Sequence, residues 1–188
     1  MVSRGELPSD LLGAGAIEVP AVRARFWVCW TAQGLSLAHW APAAATIADV
    51  LGPEHPRQAE VPEPYAGVLQ RYFAGEPVEP VELPVDLRGS PFQLKVWAAL
   101  RRIPRGQVKS YAAIARDIGS LRAMRAVGGA NGRNPVAVVV PCHRVVEADM
   151  RLGGYSGGLE YKRFLLALEG SKLVGDRVQP GQLDLLGG

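Results

Sequence analysis

The chain has 188 residues, 48% of them hydrophobic and 21% charged, enough to bury a core as one ordinary domain or two small ones. No apolar run approaches the ~20 residues needed to cross a bilayer, and the start M-V-S-R-G-E-L-P-S-D lacks the basic-then-apolar order of a secretory signal, so a soluble, intracellular protein with no membrane partner is expected. The formal charge of +3 is uneven: residues 1–87 hold 5 Lys+Arg against 11 Asp+Glu, residues 88–151 hold 12 against 3, and residues 152–188 hold 4 against 4. A basic middle segment fits a polyanion binder or a solvated surface, and charge alone leaves the two open.

Along the chain, Arg25 to Trp30 and Leu35 to Trp40 are β-prone runs separated by T-A-Q-G, which predicts an antiparallel hairpin with Gly34 in its turn. Residues 41–62, rich in Ala and Pro, show no sustained period and read as loop and variable structure. From Pro64, apolar Tyr65, Val68, Leu69, Tyr72 and Phe73 share one helical face, stopped by Gly75. The prolines of E-P-V-E-P-V-E-L-P-V-D-L-R-G forbid helix and predict an extended linker at a domain boundary.

S-P-F-Q then supplies an N-cap Ser90, a Pro at the first helical position and a Gln three residues on, opening a helix to about Arg102. Ser110 caps a short helix carrying Tyr111, Ile114, Ala115 and Ile118 and ending at Gly119, and another helix is predicted over roughly Leu121 to Ala130. Two short helices joined by a tight turn, inside the basic segment, match a helix-turn-helix. Val136 to Val140 is a continuous β-branched run expected to form a buried strand leading to P-C-H-R-V. A glycine-rich loop brackets Tyr155 and Ser156, and a last helix turns Tyr161, Phe164, Leu165 and Leu168 inward up to Glu169. The fold class expected is α/β (α+β): a small N-terminal domain with an antiparallel hairpin or sheet over 1–87 including the linker, a mainly helical domain over 88–170, and a tail over 171–188.

The two cysteines, Cys29 and Cys142, make no disulfide framework, so each is core filler, ligand or reactive thiol. Cys142 precedes a histidine and follows a proline at the expected strand end. A thiol must be deprotonated to act as nucleophile, and its ordinary pKa of ~8.5 leaves little thiolate at neutral pH without a nearby base. His143 can serve through a bridging water, with Glu169 orienting the imidazole. The residues alone leave open a simpler reading, in which Cys142 is a small buried hydrophobe and His143 a satisfied turn residue.

R-A-V-G-G-A-N-G-R-N-P at 125–135, P-C-H-R-V at 141–145 and G-Y-S-G-G at 154–158 closely resemble the O6-alkylguanine-DNA alkyltransferases, and F-Q-L-K-V-W at 92–97, I-P-R-G at 103–106 and S-Y-A-A-I-A at 110–115 are similar as well. The resemblance spans about residues 65–170. It implies direct-reversal DNA repair: a damaged guanine, and O4-alkylthymine as a second substrate, is flipped out of duplex DNA and its alkyl group moves irreversibly to Cys142 in a single turnover. It further implies that Cys142, His143 and Glu169 form a proton relay and that Asn134 braces the turn carrying the thiol. Tyr111 would donate toward guanine N3 and crowd the adjacent phosphate.

In the same resemblance the Ser156 N–H faces O6, the carbonyls of Cys142 and Val145 take the guanine amino group, and Tyr155 walls the pocket with Gly157 in its loop. Arg125 fills the hole left by the flipped base from the minor groove. Ala126, Gly128, Gly129 and Ala130 let the second helix approach the DNA backbone closely. The resemblance also implies a monomer acting on double-stranded DNA in the cytoplasm, at the nucleoid in a bacterium, or in the nucleus of a eukaryote.

Relatives with a structural zinc use four ligands, and this chain offers only Cys29, His39 and His55 before residue 142. No zinc and no cofactor are expected, with Cys29 assigned to the core. Two rival functions differ in class: a lesion-binding sensor of the same family without chemistry, in which the acceptor cysteine is typically replaced by Trp, and a helix-turn-helix regulator with an incidental thiol.

Overall fold

The computed structural model describes residues 7–53 and 55–179. They fall into two compact units, one drawn from Met1–Arg88 with Pro135–Val139, the other from Gly89–Asn134 with Val140–Gly188.

The first unit is built on a three-stranded antiparallel sheet in the order β1 (Gly13–Val19), β2 (Ala24–Trp30), β3 (Leu35–Pro42). The predicted hairpin is β2–β3, with Cys29 opposite Leu37 and Ala24 opposite Pro42. Gly34 closes its turn at φ 144°, and a Cβ there would stand 2.5 Å from the carbonyl carbon of Pro84, so only glycine fits the turn. The edge strand β1 was not anticipated, because G-A-G-A-I-E-V has too little β-branched character to stand out. Both faces of the sheet are covered. On one, Trp27 and Cys29 pack with Ala14, Leu37, Ala41 and Ile47. On the other, Phe26 meets Trp40 and Phe73 edge to face, with ring centroids 4.9 and 5.2 Å away, an arrangement favoured by the ring quadrupoles.

Phe73 comes from α2 (Tyr65–Phe73), which bears the expected apolar face with Leu69 and Tyr72 buried and Gly75 beyond its end. Residues 41–62, expected as loop, contain a short helix, α1 (Ile47–Leu51), started by a capping box in which Thr46 and Asp49 satisfy one another's backbone N–H groups; five residues are too few to show a period. The proline-rich stretch is not wholly extended either. Pro80–Glu82 makes one turn of 3-10 helix with Pro80 and Leu83 buried, because a fixed proline φ suits the first position of a helical turn. Beyond it, Leu35 donates to the Pro84 carbonyl at 3.0 Å and accepts from Asp86 N–H at 2.8 Å, laying the segment along the start of β3.

The second unit begins with α3 (Pro91–Leu100), opened by the Ser90–Gln93 capping box. Trp97 is buried and donates its indole N–H to the Ala130 carbonyl at 2.9 Å, joining α3 to α5. β4 (Lys109–Ser110) leads into α4 (Tyr111–Asp117), capped by Ser110 as expected. α5 runs over Met124–Gly132, three residues later than predicted. Residues 119–123 form the turn instead, with Gly119 at φ 69° and Ala123 N–H bonded to the Ser120 carbonyl, so Leu121, 72% exposed, contributes to no apolar helical face.

β5 (Val145–Val146) pairs in parallel with β4. α6 (Leu159–Leu168) is followed by the hairpin of β6 (Leu173–Val174) and β7 (Arg177–Val178). The inward face of α6 differs from expectation: Lys162, Leu165 and Leu166 are buried, while Tyr161, Phe164 and Leu168 are only partly so. Leu166 joins Val146, Leu152 and Val178 in a small core. Among the described residues no helix is long and apolar enough to cross a membrane.

Candidate active site around Cys142

The β-branched run before the thiol is buried, but it is not a strand. Val136 makes a single parallel bridge to Ala38, and the chain then turns through Val138 at φ 70°. An unbroken apolar run reports burial, and burial is as compatible with a turn as with a strand. Cys142 accordingly sits at the start of a 3-10 turn, Cys142–Arg144, rather than at a strand end.

The turn is held from several directions. Cys142 N–H donates to the Val140 carbonyl at 2.8 Å, and Arg144 N–H to that of Pro141 at 3.0 Å. Asn134, just beyond α5, donates its side-chain amide to the Val140 carbonyl at 2.7 Å and to the Cys142 sulfur at 3.0 Å. Asn134 therefore touches the thiol as well as bracing its turn. Burial pushes the Cys142 thiol up, and the Asn134 amide and the Lys162 charge work against that rise.

His143 is wholly buried, with Nε2 3.0 Å from Glu169 Oε1. Burial holds the imidazole below its ordinary pKa, against the pull of Glu169, so the ring is neutral at pH 7. Burial also works against the Glu169 carboxylate, but His143 and Arg144 outweigh it and keep the group ionised well below the usual carboxylate range. An ionised carboxylate only accepts, so Nε2 carries the proton and Nδ1 is left as the basic nitrogen. Nδ1 is buried and has no hydrogen-bond partner.

Sequence reasoning missed Arg144. Its buried guanidinium grips Glu169 through Nε at 3.0 Å and Nη2 at 2.7 Å, and donates from Nη1 to the Ile103 carbonyl at 2.6 Å. A bidentate fork of this kind fixes a carboxylate in position as well as charge.

Cys142 is 2% exposed, and it lies at the edge of a cavity of about 250 Å³ lined by Tyr111, Gly128, Asn131, Gly132, Gly154, Tyr155 and Ser156. Tyr111, Tyr155 and Ser156 were expected at the base and Gly128 at the DNA backbone; Asn131, 4% exposed with its side-chain carbonyl unpartnered, was given no role, although it stands within the quoted G-G-A-N-G motif. Gly157 is in the same loop and half-buried but does not line the cavity.

The Val145 carbonyl accepts from Lys162 Nζ at 2.6 Å and that of Cys142 from Val145 N–H. Arg125 and Ala126 are exposed near the start of α5, outside the cavity lining. Ala130 is buried, so unlike Ala126 it presents no surface to an approaching backbone. In the first unit, Cys29 is fully buried with its thiol pushed up to about 12 by burial, which makes it a core residue.

The family model for the DNA-binding domain of 6-O-methylguanine DNA methyltransferase matches residues 91–171. A methylated-DNA–protein-cysteine methyltransferase of Mycolicibacterium paratuberculosis is 54% identical over 113 residues, covering 58% of this chain and 68% of that protein. The constitutive enzyme of that name from Bacillus subtilis is 46% identical over 136 residues, 72% of this chain and 79% of its own. Among solved structures, Mycobacterium tuberculosis OGT in complex with DNA superposes with a TM-score of 0.71 at 37% identity, covering 84% of this chain and 92% of that one. These likenesses show the family: the chain belongs to the methylated-DNA–protein-cysteine methyltransferases.

Proposed function

We propose that this protein repairs O6-alkylguanine, and O4-alkylthymine as a second substrate, by flipping the base out of double-stranded DNA and moving its alkyl group to Cys142. One observation carries the reading: Cys142 borders a cavity walled by Tyr111 and Tyr155, beside an imidazole whose free Nδ1 is set by ionised Glu169.

The Cys142 proton passes through a bridging water to His143 Nδ1, and the imidazolium so formed is stabilised by Glu169. The thiolate attacks the alkyl carbon on O6. A carbon–sulfur bond forms as the carbon–oxygen bond breaks, and the electron pair goes to the guanine ring. Tyr111 donates its hydroxyl proton toward N3 to offset that charge. The Ser156 N–H faces O6, the Cys142 and Val145 carbonyls take the amino group, and Tyr155 stacks near the base with Gly157 in its loop.

Guanine O6 is out of reach in a stacked duplex, so extrusion must precede chemistry. Arg125 fills the vacated stack, and Ala126 and Gly128 give the DNA backbone a close approach to α5. The work is that of a monomer in the cytoplasm, at the nucleoid or in the nucleus according to the cell. A thioether is not reversed by thiol exchange, so each molecule acts once. Titrating an excess of methylated duplex should plateau at one methyl per chain, and continued turnover would contradict the single-use mechanism.

A further inference from the structure

Lys162 is fully buried on α6, where a solvated lysine would normally stand. Its ammonium donates to the carbonyls of Val145 at 2.6 Å, Leu152 at a shorter distance, and Gly154 at 3.4 Å. An ammonium has three N–H donors and no acceptor, and three carbonyls saturate it. These carbonyls come from two separate stretches. Val145 closes the 3-10 turn that carries Cys142, whereas Leu152 and Gly154 lie in the loop that carries Tyr155 and Ser156. Gly154, Tyr155, Ser156 and Cys142 all border the same cavity.

We infer that Lys162 is a positioning residue that ties the base-binding loop to the nucleophile's turn, so that the walls contributed by Tyr155 and Ser156 stand at a fixed distance from the sulfur. Gly154 has open space where a Cβ would be, and Gly153 and Gly158 adopt φ 62° and 110°, values that glycine reaches without steric cost. The same ammonium fixes the Val145 carbonyl, one of the two assigned to the guanine amino group, in direction. Burial pushes the Lys162 pKa down to about 8, with Cys142 and Glu147 holding it from falling further, so the three-donor form prevails at neutral pH. Of the other charged or titratable groups near the thiol, His143 and Arg144 are engaged with Glu169, Tyr111 lines the cavity, and Glu147 acts on both Lys162 and Tyr111.

This assignment rests on the alkyl-transfer reading of the site, and two probes of Cys142 separate them. Free O6-benzylguanine needs both the loop and the thiol; iodoacetamide, a small electrophile, needs the thiol alone. In Lys162→Met the half-saturating benzylguanine concentration should rise at least about tenfold, the scale of losing hydrogen bonds from a charged group, while Cys142 labelling by iodoacetamide falls by a smaller factor, the share owed to the lost charge beside the thiol. Lys162→Arg, which keeps charge and donors, should recover part of the loss. An unchanged half-saturation in Lys162→Met overturns the proposal, as does an equal loss with both reagents, which would leave Lys162 acting on the thiol alone.

If the methionine variant does not fold, the full-length Cys142→Ala protein labelled with 15N-lysine gives the answer. One ammonium signal with slowly exchanging protons should move when O6-benzylguanine is added. Absence of such a signal, or a signal indifferent to the base, overturns the proposal. Failure of the wild-type chain to take a methyl group from O6-methylguanine duplex would instead refute the alkyl-transfer reading itself.

Discussion

His143 Nε2 stands 3.0 Å from Glu169 Oε1 with both side chains wholly buried, and the Arg144 guanidinium holds the same carboxylate at 2.7 and 3.0 Å. The arrangement leaves Nδ1 as the only basic position on the ring, which is what a general base for a neighbouring thiol requires. The thiol itself is raised by burial, so a base at that position would matter most at neutral pH. His143→Ala should therefore slow single-turnover alkyl transfer by roughly a hundredfold near pH 7, within the usual range for general-base loss. The deficit should shrink as pH rises toward the thiol's own pKa. A deficit constant across the pH range would make His143 a structural residue.

Glu169 makes a stability prediction of its own. Its folded pKa lies below the ordinary value, so its contribution is present above the unfolded carboxylate pKa of about 4.3 and is lost as pH falls toward the folded value. Glu169→Gln strands the buried Arg144 guanidinium, and the expected cost at pH 7 is about 3–5 kcal/mol. In denaturant melts that difference between wild type and variant should narrow below about pH 4. A gap independent of pH would mean that shape rather than charge is what Glu169 supplies.

Arg125 separates flipping from chemistry. It is exposed and outside the cavity lining, so its removal should matter only where a base stack has to be opened, a cost of a few kcal/mol in duplex DNA. Arg125→Ala should lose on the order of tenfold to a hundredfold in rate on methylated duplex and stay near wild type with free O6-benzylguanine. The comparison belongs at saturating protein and two salt concentrations, because losing one cation also weakens phosphate binding. Equal losses on both substrates would assign Arg125 to the fold or the pocket.

The parts of this molecule that were legible in the sequence are those governed by local rules. The β2–β3 hairpin follows from two β-prone runs around Gly34, and α3 from a capping box written in four consecutive residues, Ser90 to Gln93. The start of α5 was misplaced because Leu121 looks like a helix residue until the turn at Gly119 has been built. The Val136–Val140 run misled for a related reason: hydrophobicity marks its burial, and nothing local announces Val138 at φ 70°.

Within the site, Cys142, His143 and Glu169 were readable through motif spacing. Arg144 and Lys162 were not, because a cation's burial is decided by distant partners: Glu169 and the Ile103 carbonyl for one, three backbone carbonyls for the other. A charge at an inward helical position, as at Lys162 between the partly buried Tyr161 and the buried Leu165, was the one available signal.

If Cys142 is the acceptor, the methyl group of the lesion must land on it. The protein is incubated with duplex containing O6-methylguanine, digested, and its peptides weighed. The peptide holding Cys142 should gain one methyl while the peptide holding Cys29, whose thiol is fully buried in the sheet core and pushed up to about 12, gains none. A methyl on Cys29, or repaired DNA with no methyl on either peptide, would contradict the account.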